Sequence, residues 1–115
     1  METYKPFSVI VVPFPFTDSH NVKKRPAIVL SSEEHQKHTK NITLLMITSA
    51  KHSSWHDDCK LSDLKAAGLN AESVMRQKIF TLDIRLIIDN IGKLSTTDKE
   101  ALIKKTQNHF KALRS

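Results

Sequence analysis

The chain has 115 residues, of which 39% are hydrophobic and 26% are charged, and we expect it to form a single domain over residues 1–115. No apolar run approaches the about 20 residues that a membrane-spanning helix needs, so the sequence excludes a helical integral membrane protein. Eighteen Lys and Arg residues against twelve Asp and Glu give a formal net charge of +6, which favours a polyanionic partner such as nucleic acid or an acidic protein.

The cysteine content and the N-terminal sequence lead us to expect a cytoplasmic protein. Cys59 is the single cysteine, so no intrachain disulfide can form, which suits a reducing compartment. The N-terminal apolar run is short and broken by Pro13, and no small-residue cleavage site follows it, so we expect no signal peptide. The basic residues are spread along the chain, which argues against a membrane surface as the partner.

Apolar, β-branched runs alternate with polar stretches along most of the chain, which predicts a structure built mainly from strands. In chain order we expect a strand over 8–16, a loop over 17–24, a strand over 25–32, a charged connection over 33–40, a strand over 41–49, a loop over 50–60, a short helix over 62–68, a strand over 73–83, a short strand near 91–94, and a helix that follows 97–100. The predicted fold is mainly β with helices (α+β): a small, curled antiparallel sheet with a C-terminal helix packed against it.

Several cap and face predictions accompany these elements. Ser62 and Gly68 are expected to begin and end the short helix, and residues 97–100 fit a capping box for the last one. The apolar face expected for the last helix consists of Leu102, Ile103, Thr106, Phe110 and Leu113.

Three consecutive cations precede a proline at the start of the second predicted strand: Lys23, Lys24 and Arg25, followed by Pro26. Arginine presents a planar fork of donors that suits a phosphate, and the following proline restricts Arg25 to an extended backbone. A fixed phosphate-binding arginine is one interpretation, and a solvated cationic loop is the other.

Two adjacent hydroxyl residues, Thr48 and Ser49, end the third predicted strand. Neighbouring side chains in a strand point to opposite faces, so one hydroxyl can face a site while the other caps the loop. A hydroxyl beside an arginine could bind a phosphoryl oxygen. A strand that simply ends in turn-forming residues is the alternative.

Histidines and aromatic residues supply further candidates. His20 lies in the first loop and could transfer a proton. The spacing of His52, His56 and Cys59 is compatible with zinc, but no fourth ligand is evident, and solvated loop histidines are the alternative. Trp55 lies in a polar loop, where it could cover a nucleic-acid groove or pack at a dimer contact. Phe14 and Phe16 share one strand face, where core packing competes with base stacking.

The order and spacing of several segments resemble the MazF/PemK family of toxins from type II toxin–antitoxin systems. The segments are VVPFPFTD, KKRPAIVLS, LLMITS, DLKAAGL, SVMRQKIFTLDIRLI and IGKLS, and the resemblance extends from about Pro6 to Leu113. It implies a small SH3-like barrel that forms a homodimer. It also implies sequence-specific, metal-independent cleavage of single-stranded RNA, with no cofactor, and an acidic antitoxin as the protein partner.

The resemblance also implies roles for individual residues. Arg25 and Thr48 match the arginine and threonine that serve the scissile phosphate in that family. The remaining residues are expected to bind RNA: His20, Lys23, Lys24, Ser49, Trp55, Arg76 and Lys78. The cations among them would attract the RNA backbone without regard to its sequence.

Two departures from the family pattern keep a second function open. Phe7-Ser8 stands where many members carry Gly-Asp, and His20-Asn21 replaces the glycines usual in the first loop. These changes motivate the alternative of a non-catalytic module on the same barrel. Such a module would bind RNA, or bind a protein target as the related CcdB gyrase poisons do.

Overall fold

The computed structural model describes residues 2–14, 23–51 and 54–114. In these ranges the chain forms β1 (Ser8–Phe14), β2 (Lys23–Val29), α1 (Glu33–Thr39), β3 (Asn41–Ser49), β4 (Cys59–Lys60), β5 (Ser73–Asp83), β6 (Asp89–Lys93) and α2 (Thr96–His109), with 3-10 turns at Ile84–Leu86 and Lys111–Leu113. The predicted strands over 41–49 and 73–83 are confirmed. No helix in the described part of the chain is long and apolar enough to cross a membrane.

The six strands form one antiparallel sheet in the order β4-β5-β3-β2-β1-β6. The sheet curls strongly. This is evident from the rings of Phe14 in β1 and Phe80 in β5, whose centroids lie 5.4 Å apart. Three strand spacings separate these strands, which would be about 14 Å in a flat sheet. The predicted fold, a small barrel-like antiparallel sheet with a C-terminal helix, is confirmed as a curled half-barrel.

Apolar side chains cover both faces of this sheet. On the face toward α2, here called the helix face, the buried cluster consists of Val9, Ile28, Leu45, Ile47, Leu61, Ala67, Met75, Leu94 and Leu102. On the other face, here called the concave face, it consists of Ile10, Val12, Ala27, Val29, Ile42, Leu44, Leu82 and Ile84. The central strands are buried from both sides, which explains their continuous apolar sequence.

The prediction of a charged connection over 33–40 is wrong, because this segment contains helix α1. Ser32 is the N-cap, and its Oγ accepts a hydrogen bond from the N–H of His35 at 3.1 Å. Lys40 ends the helix in the left-handed conformation, with φ 59°. Gln36 is fully buried and fixes the helix, since its amide exchanges two 2.8 Å hydrogen bonds with the backbone of Tyr4. The Ser-Glu-Glu start was a readable cap signal.

The prediction of a helix over 62–68 is also wrong, because the segment forms successive turns. Its backbone lies directly on β6, where Ala66 accepts a 3.0 Å hydrogen bond from the N–H of Lys93. A Cβ on Gly68, which has φ 75°, would collide with the carbonyl of Ile91. A Cβ on Gly92 would lie 2.5 Å from the backbone of Ala66. Both glycines therefore serve this close approach.

The N-cap of helix α2 lies two residues before the predicted one, which was Thr97. Ser95 is the N-cap, and its Oγ accepts a hydrogen bond from the N–H of Asp98 at 3.2 Å. The predicted apolar face is correct at Leu102, which is buried, but Phe110 and Leu113 are exposed. The α-helix ends at His109, so Phe110 is its C-cap and Leu113 lies in the 3-10 turn that follows.

Candidate active site

The two residues predicted to act on the scissile phosphate lie just beyond the last paired residues of β2 and β3. Ala27 lies opposite Met46, and Val29 lies opposite Leu44. Continuing this register toward the start of β2 places Arg25 opposite Thr48. Because side chains alternate along a strand, Arg25 shares the face of Ala27, which is the concave face. Directly opposed side chains have Cβ atoms about 5 Å apart, so one phosphate can reach both.

Arg25 is held by pairing within the sheet. It lies opposite Val12 of β1, and Pro26 lies opposite Val11. The side chain is half-buried. Lys23 and Lys24 precede it in β2 and are exposed, with Lys23 on the face of Arg25 and Lys24 on the other face. The first cations of β2 are therefore strand residues rather than part of the loop that the sequence predicted.

Ser49 lies on the face opposite to that of Thr48. Its Oγ accepts a 3.2 Å hydrogen bond from the N–H of Lys51, which caps the turn after β3. The two adjacent hydroxyl groups therefore point to opposite faces of the sheet, as strand geometry requires. Thr48 shares a face with Arg25, and Ser49 orders the loop. The structure does not bring the Ser49 side chain to Arg25.

Arg76 of β5 lies opposite Met46 and so shares the concave face, but it is only 6% exposed. Its Nε and Nη2 donate to the two carboxylate oxygens of Asp58 at 3.1 and 2.9 Å. The ring of Trp55 covers the guanidinium at 5.0 Å. The charge of Arg76, which was predicted to bind RNA, is therefore paired with that of the half-buried Asp58.

Asp58 is the residue of this site that the sequence interpretation missed. Burial alone would raise the pKa of its carboxyl group, but hydrogen bonds from the Arg76 side chain and the Trp55 N–H, together with the Arg76 charge, outweigh burial and hold the pKa below its ordinary value. Continuing the pairing of β4 with β5 places Asp58 opposite Arg76. That pairing joins segments distant in sequence, and β4 has only two residues, so no local signal revealed it.

An irregularity in β5 separates Arg76 from the rest of that strand. Leu45 lies opposite Ile79 while Met46 lies opposite Arg76, which leaves Gln77 and Lys78 without an opposing residue. Gln77 is buried and donates a 3.0 Å hydrogen bond to Thr106 of α2. Lys78 is half-buried. Such bulges redirect side chains at functional edges of sheets.

The histidine and aromatic predictions have mixed outcomes. His20, His52 and Phe16 lie outside the described residues. His56 is exposed and lies 3.6 Å from Asp57, while Cys59 packs against the apolar cluster of the helix face, and burial raises the pKa of its thiol. No group of three or more His, Cys, Asp or Glu side chains suited to a metal ion occurs within residues 2–14, 23–51 and 54–114.

Comparisons with known proteins identify the family. The model of the PemK-like, MazF-like toxins of type II toxin–antitoxin systems matches residues 5–110. The fold resembles the Mycobacterium tuberculosis toxin MazF-mt6, with 22% identity, TM-score 0.71, and coverage of 90% of this chain and 96% of that one. It also resembles MazF from Deinococcus radiodurans, with 16% identity, TM-score 0.73, and coverage of 96% and 98%.

A third similar structure is an endoribonuclease in complex with its cognate antitoxin from a mycobacterial species, with 14% identity, TM-score 0.69, and coverage of 94% of this chain and 93% of that one. A comparison with curated proteins gives no significant match. At these identities the solved structures establish the shared fold, and the family model establishes membership over almost the whole chain. The chain belongs to the PemK-like, MazF-like family of toxins of type II toxin–antitoxin systems.

Proposed function

We propose that the chain is a toxin that cleaves single-stranded RNA, including mRNA, as a sequence-specific and metal-independent endoribonuclease in the cytoplasm. Family membership supports this proposal, as does the similar mycobacterial structure that is named an endoribonuclease. The observation that supports it is the register of β2 and β3, in which Ala27 lies opposite Met46: its continuation sets Arg25 opposite Thr48 on the concave face, where a phosphate can reach both side chains.

The chemistry follows from these two groups. The 2′-hydroxyl of the RNA attacks the adjacent phosphorus in line, and the bond to the 5′-oxygen breaks. The products are a 2′,3′-cyclic phosphate and a 5′-hydroxyl, and the proton lost by the 2′-oxygen is balanced by the proton gained by the 5′-oxygen. The guanidinium of Arg25 binds the phosphate and offsets its growing charge, while the Thr48 hydroxyl donates to a non-bridging oxygen. The nucleophile belongs to the substrate, so this route needs no metal-bound water.

The proton donor and acceptor for this reaction have three candidates. Arg25 itself, Thr48 through a bound water, and His20 can each be placed in one of these roles. Histidine titrates near neutral pH, which suits it to either role. Lys23 and Lys24 lie exposed beside Arg25 and supply sequence-independent attraction to the RNA backbone.

The partners follow from charge and from the similar structures. One similar structure holds a cognate antitoxin, and another is a MazE–MazF complex from Deinococcus radiodurans. We propose that an acidic antitoxin neutralises this chain by covering the cationic end of the concave face, to which the net charge of +6 is complementary. We also propose that the active toxin is a homodimer.

Replacing Thr48 with valine tests the hydroxyl without changing the shape of the side chain. We expect RNA cleavage to slow about 10- to 100-fold, the effect of losing one hydrogen bond to a charged phosphate oxygen in the transition state. The assay follows a long single-stranded RNA in excess chelator. Thr43→Val is the matched control, because Thr43 lies in the same strand but bonds to Thr81, at 3.3 Å, far from Arg25.

Equal cleavage rates for the Thr48→Val and Thr43→Val proteins would remove Thr48 from the proposed site. If the unmodified protein binds the RNA on a filter and leaves it intact, the proposed activity is wrong. A non-catalytic binding module would then explain the family resemblance.

A further inference from the structure

Residues 54–58, here called the tryptophan loop, are fixed to the rest of the molecule at two points. Asp58 binds Arg76 of β5 and also accepts the N–H of Trp55 at 2.9 Å. Asp57 accepts two hydrogen bonds from the side-chain amide of Asn108 in α2, at 2.8 and 3.1 Å. A short polar loop is thereby tied both to the sheet and to the C-terminal helix.

This fixed loop presents a large aromatic ring to solvent. Trp55 is 45% exposed, although Arg76 beneath it is almost fully buried. A pocket of about 410 Å³ opens beside the ring, and its walls are Trp55, His56, Asp57, Gln77 and His109. The side chain of Gln77 is hydrogen-bonded to those of Thr106 and His109, and the indole is the large apolar surface in this pocket.

Arg76, on which the ring stacks, lies in the strand next to Thr48 of the proposed cleavage site. Thr48 lies opposite Val74, and Arg76 is two residues further along β5. Diagonal neighbours of this kind have Cα atoms about 7–8 Å apart. Since Trp55 stacks on Arg76, an RNA strand whose phosphate lies at Arg25 and Thr48 can place a neighbouring base at the indole.

We propose that Trp55 is the stacking platform for a nucleobase next to the scissile phosphate, and that Asp58 and Arg76 are positioning residues that hold it in place. This inference rests on the proposed function and deepens it. Arg76 is too buried to be an RNA contact of the usual exposed kind. Its guanidinium instead supports the ring by a cation–π contact, and Asp58 fixes the guanidinium. Because the ring is already held in place, little side-chain conformational entropy is lost when it binds a base.

Binding is measured with a randomised pool of short, dye-labelled 2′-O-methyl RNA, which lacks the hydroxyl nucleophile and cannot be cleaved by the proposed route. We expect Trp55→Ala to weaken binding about 10-fold, because stacking of one base on an aromatic side chain contributes about 1–3 kcal/mol. Trp55→Phe should restore most of the affinity, since it retains a stacking ring. Leu86→Ala is the matched control: Leu86 is 47% exposed and lies in the 3-10 turn that follows the far end of β5.

The positioning role has its own spectroscopic signature, because Trp55 is the only tryptophan in the chain. RNA should quench its fluorescence in a saturable way. Asp58→Asn should increase the nanosecond mobility of the ring, seen as faster decay of its fluorescence anisotropy, and should weaken binding. In a protein that already carries Trp55→Ala, Asp58→Asn should cause little additional loss of affinity, since the two residues act together.

The outcomes separate this inference from the proposed function. If the unmodified protein cleaves RNA and binds the pool, but Trp55→Ala binds as tightly, the stacking platform is wrong and the ribonuclease stands. If the unmodified protein neither binds nor cleaves RNA, both are wrong. If Trp55→Ala converts a dimer into a monomer in sedimentation, the ring packs at a subunit contact and the platform is again wrong.

Discussion

Replacing Arg25 with alanine is expected to reduce RNA cleavage about 1,000-fold while the protein remains folded. Arg25 lies in β2 opposite Val12, and the continued register of β2 and β3 sets it opposite Thr48, where its guanidinium can donate two hydrogen bonds to one phosphate. Removing a group that stabilises developing charge in a water-excluded site typically costs 10²–10³ in rate. The measurement is the initial rate of cleavage, beside a thermal unfolding curve for each protein.

Two further variants make this result specific. Arg25→Lys keeps the charge but loses the planar fork, so we expect most of the activity to be lost. Arg85→Ala removes the same type of side chain from an exposed position near the far end of β5, where it pairs with Asp83, and we expect wild-type cleavage. Cleavage by a folded Arg25→Ala protein at a rate similar to that of Arg85→Ala would contradict the assignment.

The second large effect concerns stability and depends on Asp98 in the first turn of α2. This carboxylate is 2% exposed. It accepts three hydrogen bonds of 2.8–2.9 Å, from the N–H and hydroxyl of Ser62 and from the N–H of Asp63. The residue thereby joins α2 to the turns that cover the helix face. We expect Asp98→Asn to lower the free energy of unfolding by about 3 kcal/mol, measured by urea denaturation, because hydrogen bonds to a charged group contribute about 1.5–3 kcal/mol each.

The loss caused by Asp98→Asn should depend on pH in a defined direction. Burial alone would raise the pKa of Asp98, but the hydrogen bonds from Ser62, Asp63 and Ser95 outweigh it and hold the pKa below its ordinary value. When the pKa of a carboxyl group is lower in the folded state, its contribution to stability is at its maximum above the unfolded-state pKa of about 3.9. That contribution is lost as the pH falls through the folded-state pKa. The difference between the two proteins should therefore be largest near neutral pH and shrink below about pH 4.

Asp89→Asn is the control for this measurement, because Asp89 is exposed on β6 and its carboxylate accepts the N–H of the adjacent Asn90. It should change the free energy of unfolding little at any pH. A difference between wild type and Asp98→Asn that stays constant from neutral to acid pH would contradict the charged state assigned to Asp98.

Local sequence patterns predicted the central strands well, because those strands are buried on both faces. β3 and β5 match their predicted bounds, since continuous β-branched and apolar runs leave few alternatives. Helix α1 was missed because all of its residues are polar, including Gln36, which is buried. A buried glutamine carries no apolar periodicity, and its partner Tyr4 lies far away in sequence.

In the candidate site, too, features set by neighbouring residues were predictable, and features set by long-range strand pairing were not. Residue type and strand position were enough to select Arg25 and Thr48, and alternation alone predicted that Thr48 and Ser49 face opposite sides. The register that places Arg25 opposite Thr48 depends on how β2 pairs with β3, which the sequence does not state. The pairing of Asp58 with Arg76 likewise depends on the two-residue strand β4. Arg76 was therefore expected to contact RNA, whereas its geometry fits a support for Trp55.

The central claim is a ribonuclease in which the RNA supplies its own nucleophile and Arg25 binds the phosphate. The most direct test incubates the purified protein with a long single-stranded RNA in excess chelator, beside Arg25→Ala, and maps both ends of every product. We predict discrete cuts that carry 5′-hydroxyl and 2′,3′-cyclic phosphate ends and that are absent with Arg25→Ala. Products with 5′-phosphate ends, or cuts that persist in the folded Arg25→Ala protein, would contradict this account.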